Sequence, residues 1–277
     1  MRKLKKFLLF SNLIFIFKLY SGFEFNNFSA NLLGKGDAGV IDYNIASIYY
    51  NPANFLKEKF VFNFSIVNNY SIENFYTRSL GANFLLKEKF NLGYLFIIKS
   101  PFIYYNESLH LIRMSLKPSK FLYSGVNLKF YKSFSFLSEE YESDKNLKEY
   151  SGENLDIGFI INFTKILKIG VSFVNILKDE NLEPKVLLGL QLFFSENGYF
   201  NIANGFNSKK WDNILENSKL YLGLEERVFE FLILRAGLND FNFTAGFGLE
   251  FKNFLLNYGF FYHTIGISNS IDLNIRI

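Results

Sequence analysis

The sequence contains no cysteine, and that single absence removes disulfides, thiolate metal sites, cysteine nucleophiles and a lipid-modified cysteine anchor. Histidine is nearly as scarce: His110 and His263 are the only two, too few for a His-based metal site. A nucleophile needs a base in hydrogen-bond reach, and His263 beside Thr264 reads as a polar residue at the rim of a strand rather than as such a base. No loop motif supports a carboxylate metal site. The sequence therefore predicts no enzyme, no metal and no cofactor. Proline and methionine are also rare, with 4 and 2 copies. Long apolar runs are missing beyond the first twenty residues. Although 49% of residues are apolar, mean hydropathy is only +0.08, so apolar and polar residues must be interleaved.

What is abundant is aromatic: 36 Phe and 17 Tyr, a bias that suits a pleated surface with one apolar face. The N-terminus stands apart. Arg2, Lys3, Lys5 and Lys6 precede an apolar stretch from Phe7 to Phe17, and Ser21 and Gly22 follow. This order reads as a secretory signal over residues 1–21, since Lys18 closes the run well short of the ~20 residues a helical span needs. The signal holds five of the 30 basic residues and no acidic one, which leaves 25 against 26 and a net charge near −1. The sequence pI near 8.9 is thus no sign of a nucleic-acid partner.

From about residue 58 onward one pattern repeats: eight to eleven residues alternate apolar with small or polar, and a turn follows. In the clearest case Phe241, Phe243, Ala245, Phe247, Leu249 and Phe251 share one face, opposite Asn242, Thr244, Gly246, Gly248 and Glu250. Strict period two cannot form the stripe of an amphipathic helix. Fourteen such segments begin near residues 59, 77, 89, 108, 120, 153, 167, 184, 198, 217, 229, 241, 254 and 270. Strand length and even number fit a transmembrane β-barrel. Connections after odd-numbered segments are expected to be long (67–76, 99–107, 134–152, 176–183, 207–216, 264–269), with the tight Asn239-Asp240 as an exception; those after even-numbered segments are short. This parity places both termini in the periplasm. The predicted fold is all-β: a transmembrane antiparallel up-and-down barrel of about 14 strands spanning residues 58–277. A secreted β-sandwich is the alternative, but its exposed face would carry charge freely, whereas here the second face is rich in Gly, Asn and Ser.

Lumen-facing charges are expected at Lys129, Asp156, Lys219, Glu225, Arg235, Glu250, Asp272 and Arg276. Both signs occur, so they either pair with one another or with a plug, or tune what passes. The loop from Ser138 to Glu153 is dense in charge and reads as a solvated outer loop.

Residues 22–57 do not alternate. Gly34-Lys35-Gly36-Asp37-Ala38-Gly39 fits G-x-G-x-x-G mechanically, but no βαβ unit follows to give that spacing a dinucleotide meaning. The run Gly34, Gly36, Ala38, Gly39, then Ala46, Ser47, Tyr49, Tyr50, Asn51, Pro52 and Ala53 resembles the N-terminal signature of FadL-type long-chain fatty-acid transporters and their PorV-type relatives. Tyr258 to Ile277, with Gly266, is similar to the closing hairpin of PorV-type proteins. Lys35 and Asp37 depart from a run that is usually small and apolar, Asp42 alone remains of an acidic pair, and Ile277 replaces a terminal aromatic. The resemblance implies an N-terminal hatch in the lumen, with Gly34, Gly36, Gly39, Asp42, Asn51 and Pro52 as its key positions. The alternative is a periplasmic linker. It also implies an outer-membrane location in a diderm bacterium, among outer-membrane lipids. The implied partner is a small hydrophobic compound such as a long-chain fatty acid, or, in the PorV-type alternative, the proteins of an export system for which the barrel is a scaffold.

Overall fold

A computed structural model describes residues 25, 27–102, 105–135, 149–177, 179, 181–207 and 218–277, with no side-chain description at 102, 135 and 207. The secretory signal expected over residues 1–21 and most of the loop from Ser138 to Glu153 lie outside the described residues.

Fourteen strands form one closed antiparallel barrel: β1 (Phe60–Asn68), β2 (Tyr76–Leu86), β3 (Phe90–Phe102), β4 (Tyr105–Leu116), β5 (Leu122–Ser135), β6 (Ser151–Asn162), β7 (Leu167–Val174), β8 (Lys185–Phe193), β9 (Gly198–Asn207), β10 (Ser218–Phe229), β11 (Leu232–Asn239), β12 (Asn242–Phe251), β13 (Phe254–His263) and β14 (Gly266–Arg276). Each strand pairs with its sequence neighbours, and β1 closes on β14 in register from Val61↔Arg276 to Asn68↔Asn269. Closure leaves no sheet edge, the condition under which strands can cross a bilayer with every backbone group paired.

The barrel is inside out relative to a soluble protein. In β1, Asn63 and Ser65 are fully buried while Phe64 and Ile66 are about two-fifths exposed. Asn83, Asn127, Asn257 and Asn274 are likewise buried, whereas Phe84, Leu128, Leu256 and Leu273 face outward. Such an outward apolar band has no benefit in water and a large one in lipid. A sandwich is excluded by closure.

Two hairpins expected to be long are tight. β3 runs on to Phe102 and β4 starts at Tyr105; β14 starts at Gly266 rather than near 270, only two residues separating it from His263 at the end of β13. The β11–β12 connection is tight as expected, with Asp240 and Phe241 both at positive φ, as is the β2–β3 pair Lys87 and Glu88. A two-residue turn of this hand matches the twist of its flanking strands. Connections between β1 and β2, β5 and β6, β7 and β8, and β9 and β10 remain long, and that side is called the loop end below. The opposite side, where β1 begins and β14 finishes, is the turn end.

Before β1, the chain makes a single helical turn, α1 (Ala30–Leu33), and a 3-10 turn over Ile45–Tyr49. Asn44 caps the latter, its Oδ1 accepting from Ala46 N at 2.8 Å. Neither turn has a core of its own. Both are buried among inward-facing strand residues, α1 against β12, β13, β14 and β1, the 3-10 turn against β1, β2 and β3.

Candidate functional site

The candidate site is the space inside the barrel and the N-terminal segment, residues 27–56, that sits there. Its fit begins with wall residues that have no side chain. Paired glycines face each other across strand boundaries at Gly125↔Gly158, Gly170↔Gly189, Gly223↔Gly237 and Gly246↔Gly259. The N-terminal segment runs along this belt at backbone contact distance. A Cβ on Gly125 would stand 2.2 Å from Pro52 O, one on Gly158 1.9 Å from Asn51 Oδ1, and one on Gly259 2.4 Å from Ala30 O. No real Cβ tolerates such spacing, so the belt sets the width available to the segment.

The wall also caps the segment's backbone carbonyls. Ser79 Oγ donates to Phe28 O at 3.1 Å, Asn201 Nδ2 to Ala38 O at 3.1 Å and Ile41 O at 3.0 Å, and Asn127 Nδ2 to Ile48 O at 2.8 Å. Arg113 donates to Asn54 O, and Asn91 Nδ2 to Leu56 O at 3.1 Å. An irregular segment cannot pair all of its own carbonyls, and burying the remainder bare would cost several kcal/mol in total, at roughly 1–3 kcal/mol each. Inside the segment, Asn54 is the staple: its Nδ2 donates to both Gly39 O and Ser47 O at 3.0 Å, while its Oδ1 accepts from Asp42 N at 2.9 Å.

The lumen has two unlike sides. Toward β9–β14 lies a chain of charge. Lys35 Nζ is 2.7 Å from Asp42 Oδ2, a charge contact not aligned as a hydrogen bond, and 3.1 Å from Glu225 Oε2. Arg235 Nε meets the same Glu225 oxygen at 2.7 Å and its second nitrogen reaches Asn257 Oδ1 at 2.9 Å. Asn257 in turn donates to Asp272, which accepts from Ser29 Oγ at 2.9 Å and Asn31 N at 3.1 Å. The chain thus ties the segment to the wall at both Lys35 and Ser29.

Toward β3–β5 the wall carries an apolar patch, bordered by the buried Arg113 and by Lys129, which pairs with Asp156. Leu95, Ile97, Leu109, Leu111 and Tyr131 form one buried cluster with Phe25, Phe28, Ile45 and Ile48 of the segment. Phe28 and Tyr49 meet edge to face at 5.2 Å between ring centres.

Most of the residues singled out in the sequence meet in this arrangement, while Glu250, Arg276 and Lys219 lie apart from it. Gly34 ends α1 against Gly246; Gly36, at φ +66, is wedged where a Cβ would strike Leu238 O at 2.4 Å; Gly39 lies under the Tyr50 ring. Asp42 is the partner of Lys35. Asn51 Oδ1 accepts from Ala53 N at 2.9 Å and its Nδ2 reaches Phe159 O, so the Asn51-Pro52 bend is pinned to the wall at the glycine belt. Among the charges, Glu225, Arg235 and Asp272 join the chain above, and Lys129 pairs with Asp156 at 2.9 Å. Glu250 and Arg276 form a separate group with Arg227 near the turn end, and Lys219 stands at the loop end of β10. An open groove of about 600 Å³ lined by Glu230, Phe231, Glu250 and Phe254 belongs to that rim and not to the lumen. His110 lies outside the site, on the exposed face, where its Nδ1 is 2.8 Å from Tyr94 Oη.

Several residues of the site were not expected. Arg113 is the largest fully buried side chain, held by Asn54 O, Asn83 and Asn91. The inward face of β4 also carries Leu109 and Leu111, so the polarity contrast that marks other strands is lost there. Lys35 looked like a misfit in a small-residue run and is instead the centre of the ion cluster. Asp37 is buried without a cation beside it among the described residues; burial pushes its carboxyl up to about 7, offset only in part by hydrogen bonds such as that from Asn239 Nδ2 at 3.0 Å. Burial also raises Asp42, with Lys35 pulling the other way.

No family model and no curated protein matches the chain. Solved structures do. The Pseudomonas putida toluene transporter TodX superposes with a TM-score of 0.67 at 11% identity, covering 92% of this chain and 98% of that one. The Ralstonia pickettii toluene transporter TbuX gives 0.65 at 11% identity over 90% and 98%, and a Pseudomonas aeruginosa FadL homologue 0.60 at 8% identity over 92% and 99%. Closure, strand number and near-complete mutual coverage agree: this chain is a fourteen-stranded barrel of the FadL-type fold.

Proposed function

We propose that the protein admits small hydrophobic compounds across an outer membrane, with residues 22–57 as the hatch that closes the lumen. The observation that carries this reading is the apolar patch on the interior of β3–β5. A general porin lines a wet channel with polar groups, whereas here the β3–β5 wall offers Leu95, Ile97, Leu109 and Leu111 to an apolar occupant. The segment's own Phe28, Ile45 and Ile48 cover that wall, so a path for an apolar compound opens when they withdraw. The charge chain on the opposite side holds the segment in register rather than facing the compound. Toluene is what two of the similar structures are named for, and a ring-sized compound matches a lumen that is already packed better than a long acyl chain does. The export-scaffold alternative rests on the resemblance of the closing hairpin alone and is not favoured.

The test is uptake of a radiolabelled monoaromatic hydrocarbon and, separately, of a long-chain fatty acid, by cells with and without the protein in the outer membrane. Faster uptake of either, abolished by Leu95→Asp/Leu111→Asp in a barrel that still inserts, is the expected result. Which of the two is taken up fixes the compound class. Equal uptake with and without the inserted protein overturns the proposal.

A further inference from the structure

The turn end of the barrel is charged on one side only. The chain leading into β1 carries Lys57 and Lys59 with Glu58, and the β2–β3 turn carries Lys87 and Lys89 with Glu88. The β4–β5 connection adds Lys117 and Lys120, and the β6–β7 turn adds Lys165. Lys168, just inside β7, belongs to the inner face, its Nζ 4.4 Å from the Tyr43 ring centre. Along this half of the circumference the other seven cations meet two anions, a balance of +5. Across the other half, Glu196, Glu226, Glu230 and Glu250 outnumber Arg227, Lys252 and Arg276, a balance of −1. None of the seven lysines forms an ion pair with a described residue, although all but Lys117 are exposed.

Their height is set by their neighbours. Lys87 follows the outward-facing Phe84 and Leu86, Lys117 follows Leu116, and Lys120 precedes Phe121. Phe163 and Ile166 bracket Lys165 in the same way. Lys120 Nζ stands 4.9 Å from the ring centre of the outward Phe121, whereas Lys117 Nζ lies 5.9 Å from that of Tyr123, on the inner side of the rim where Tyr123 packs on Phe55. Lys117 apart, the ammonium groups therefore sit where the apolar band stops, at the level of lipid headgroups, with their stems along the band. Aromatic girdles of barrels anchor through the polar tips of Trp and Tyr. The girdle on this arc is mostly Phe, which has no such tip, and the lysines supply the polar contact in its place.

We infer that the β1–β7 arc of the turn end is a binding edge for anionic phospholipid headgroups in the leaflet it faces. A soluble acidic partner would need cations that project clear of the bilayer; these are interleaved with lipid-facing residues instead. Near an anionic membrane surface each lysine raises affinity about fivefold, and the attraction is screened as ionic strength rises. The inference rests on membrane insertion of the barrel and not on transport, so the two stand or fall by different measurements.

The test uses the full chain in nanodiscs of phosphatidylcholine mixed with phosphatidylglycerol, with retained lipids read by native mass spectrometry. The wild-type protein is expected to retain phosphatidylglycerol in preference. Lys87→Gln/Lys89→Gln/Lys120→Gln/Lys165→Gln should lower that preference at least fivefold, while Lys252→Gln on the opposite half leaves it unchanged. Heat-modifiable gel mobility confirms that each variant is a closed barrel. Equal retention of the two lipids by the wild type, or the same preference in the quadruple variant, overturns the inference. Binding of soluble polyglutamate through these lysines with no lipid preference would do so as well, and would assign the arc to an acidic protein.

Discussion

Replacing Lys35 by methionine is the sharpest single perturbation of the seated segment. Lys35, Arg235, Asp42 and Glu225 form a neutral cluster, and both Lys35 and Asp42 are almost fully buried. At 2.7 Å and an effective dielectric of about 20 the Lys35–Asp42 attraction is about 6 kcal/mol before desolvation, which offsets much of it. The net worth of the pair is therefore small, but breaking it is not. Lys35→Met leaves Arg235 on Glu225 and strands Asp42 as an uncompensated buried charge, at a cost of about 3–5 kcal/mol. That cost falls on the seated state, so the unseated population should rise between about 10²- and 10⁴-fold. Hydrogen exchange of the protein in nanodiscs reads this directly: amides of residues 30–56 should exchange faster by that factor while strand amides keep their protection. Lys35→Met/Asp42→Asn restores neutrality and should recover most of the protection. Unchanged exchange in the single variant, or a double variant as labile as the single, would refute the cluster as what holds the segment.

Other outcomes follow from the same geometry. Gly125→Ala places a methyl group 2.2 Å from Pro52 O and should destabilise the seated segment by at least about 1–3 kcal/mol; the check is faster exchange around Asn51 with barrel mobility on gels intact. Because Asp37 has its carboxyl raised to about 7 by burial, the seated state favours the protonated form. Its contribution is complete below the ordinary carboxylate range and lost as pH rises through about 7. Exchange of the segment should thus accelerate between pH 5 and pH 8 after correction for intrinsic rates, and Asp37→Asn, tolerated at φ +57, should flatten that dependence. On the outer face, Phe64→Arg should cost about 2–4 kcal/mol if its site is at the bilayer midplane, measured by folding into liposomes, whereas a polar swap such as Phe64→Thr should cost less.

The strands were legible because lipid outside and a packed lumen inside impose one period on every segment. Where that contrast fades, so does legibility. Asn106 and Glu107 look like loop residues, yet they extend β4, with Glu107 facing Lys99 at 3.7 Å. Ile267 and Ser268 alternate as a strand should, but the two-residue turn before them contains Thr264 and Ile265, residues that give no turn signal. Arg113 was hidden in a strand whose inward face mixes Leu109 and Leu111 with polar residues. The glycines were visible as small residues, but a sequence does not say what lies in front of each, and the belt exists only once fourteen strands set their heights. The departure at Lys35 was visible too; its meaning needed Glu225 and Arg235, which lie nearly two hundred residues away.

The glycine belt also sets an order of assembly. Residues 27–56 own one helical turn, one 3-10 turn and a few internal hydrogen bonds, too little to hold a shape in isolation. Their carbonyl caps come from β2, β3, β4, β5 and β9, and their carboxylate partners from β10 and β14. No half-built sheet offers that set. The segment that precedes β1 is therefore expected to take its native form last, when β14 meets β1 and brings Asp272 to Ser29. Sealing the wall and filling the interior become one cooperative event, so a barrel that fails to close is also one that stands open.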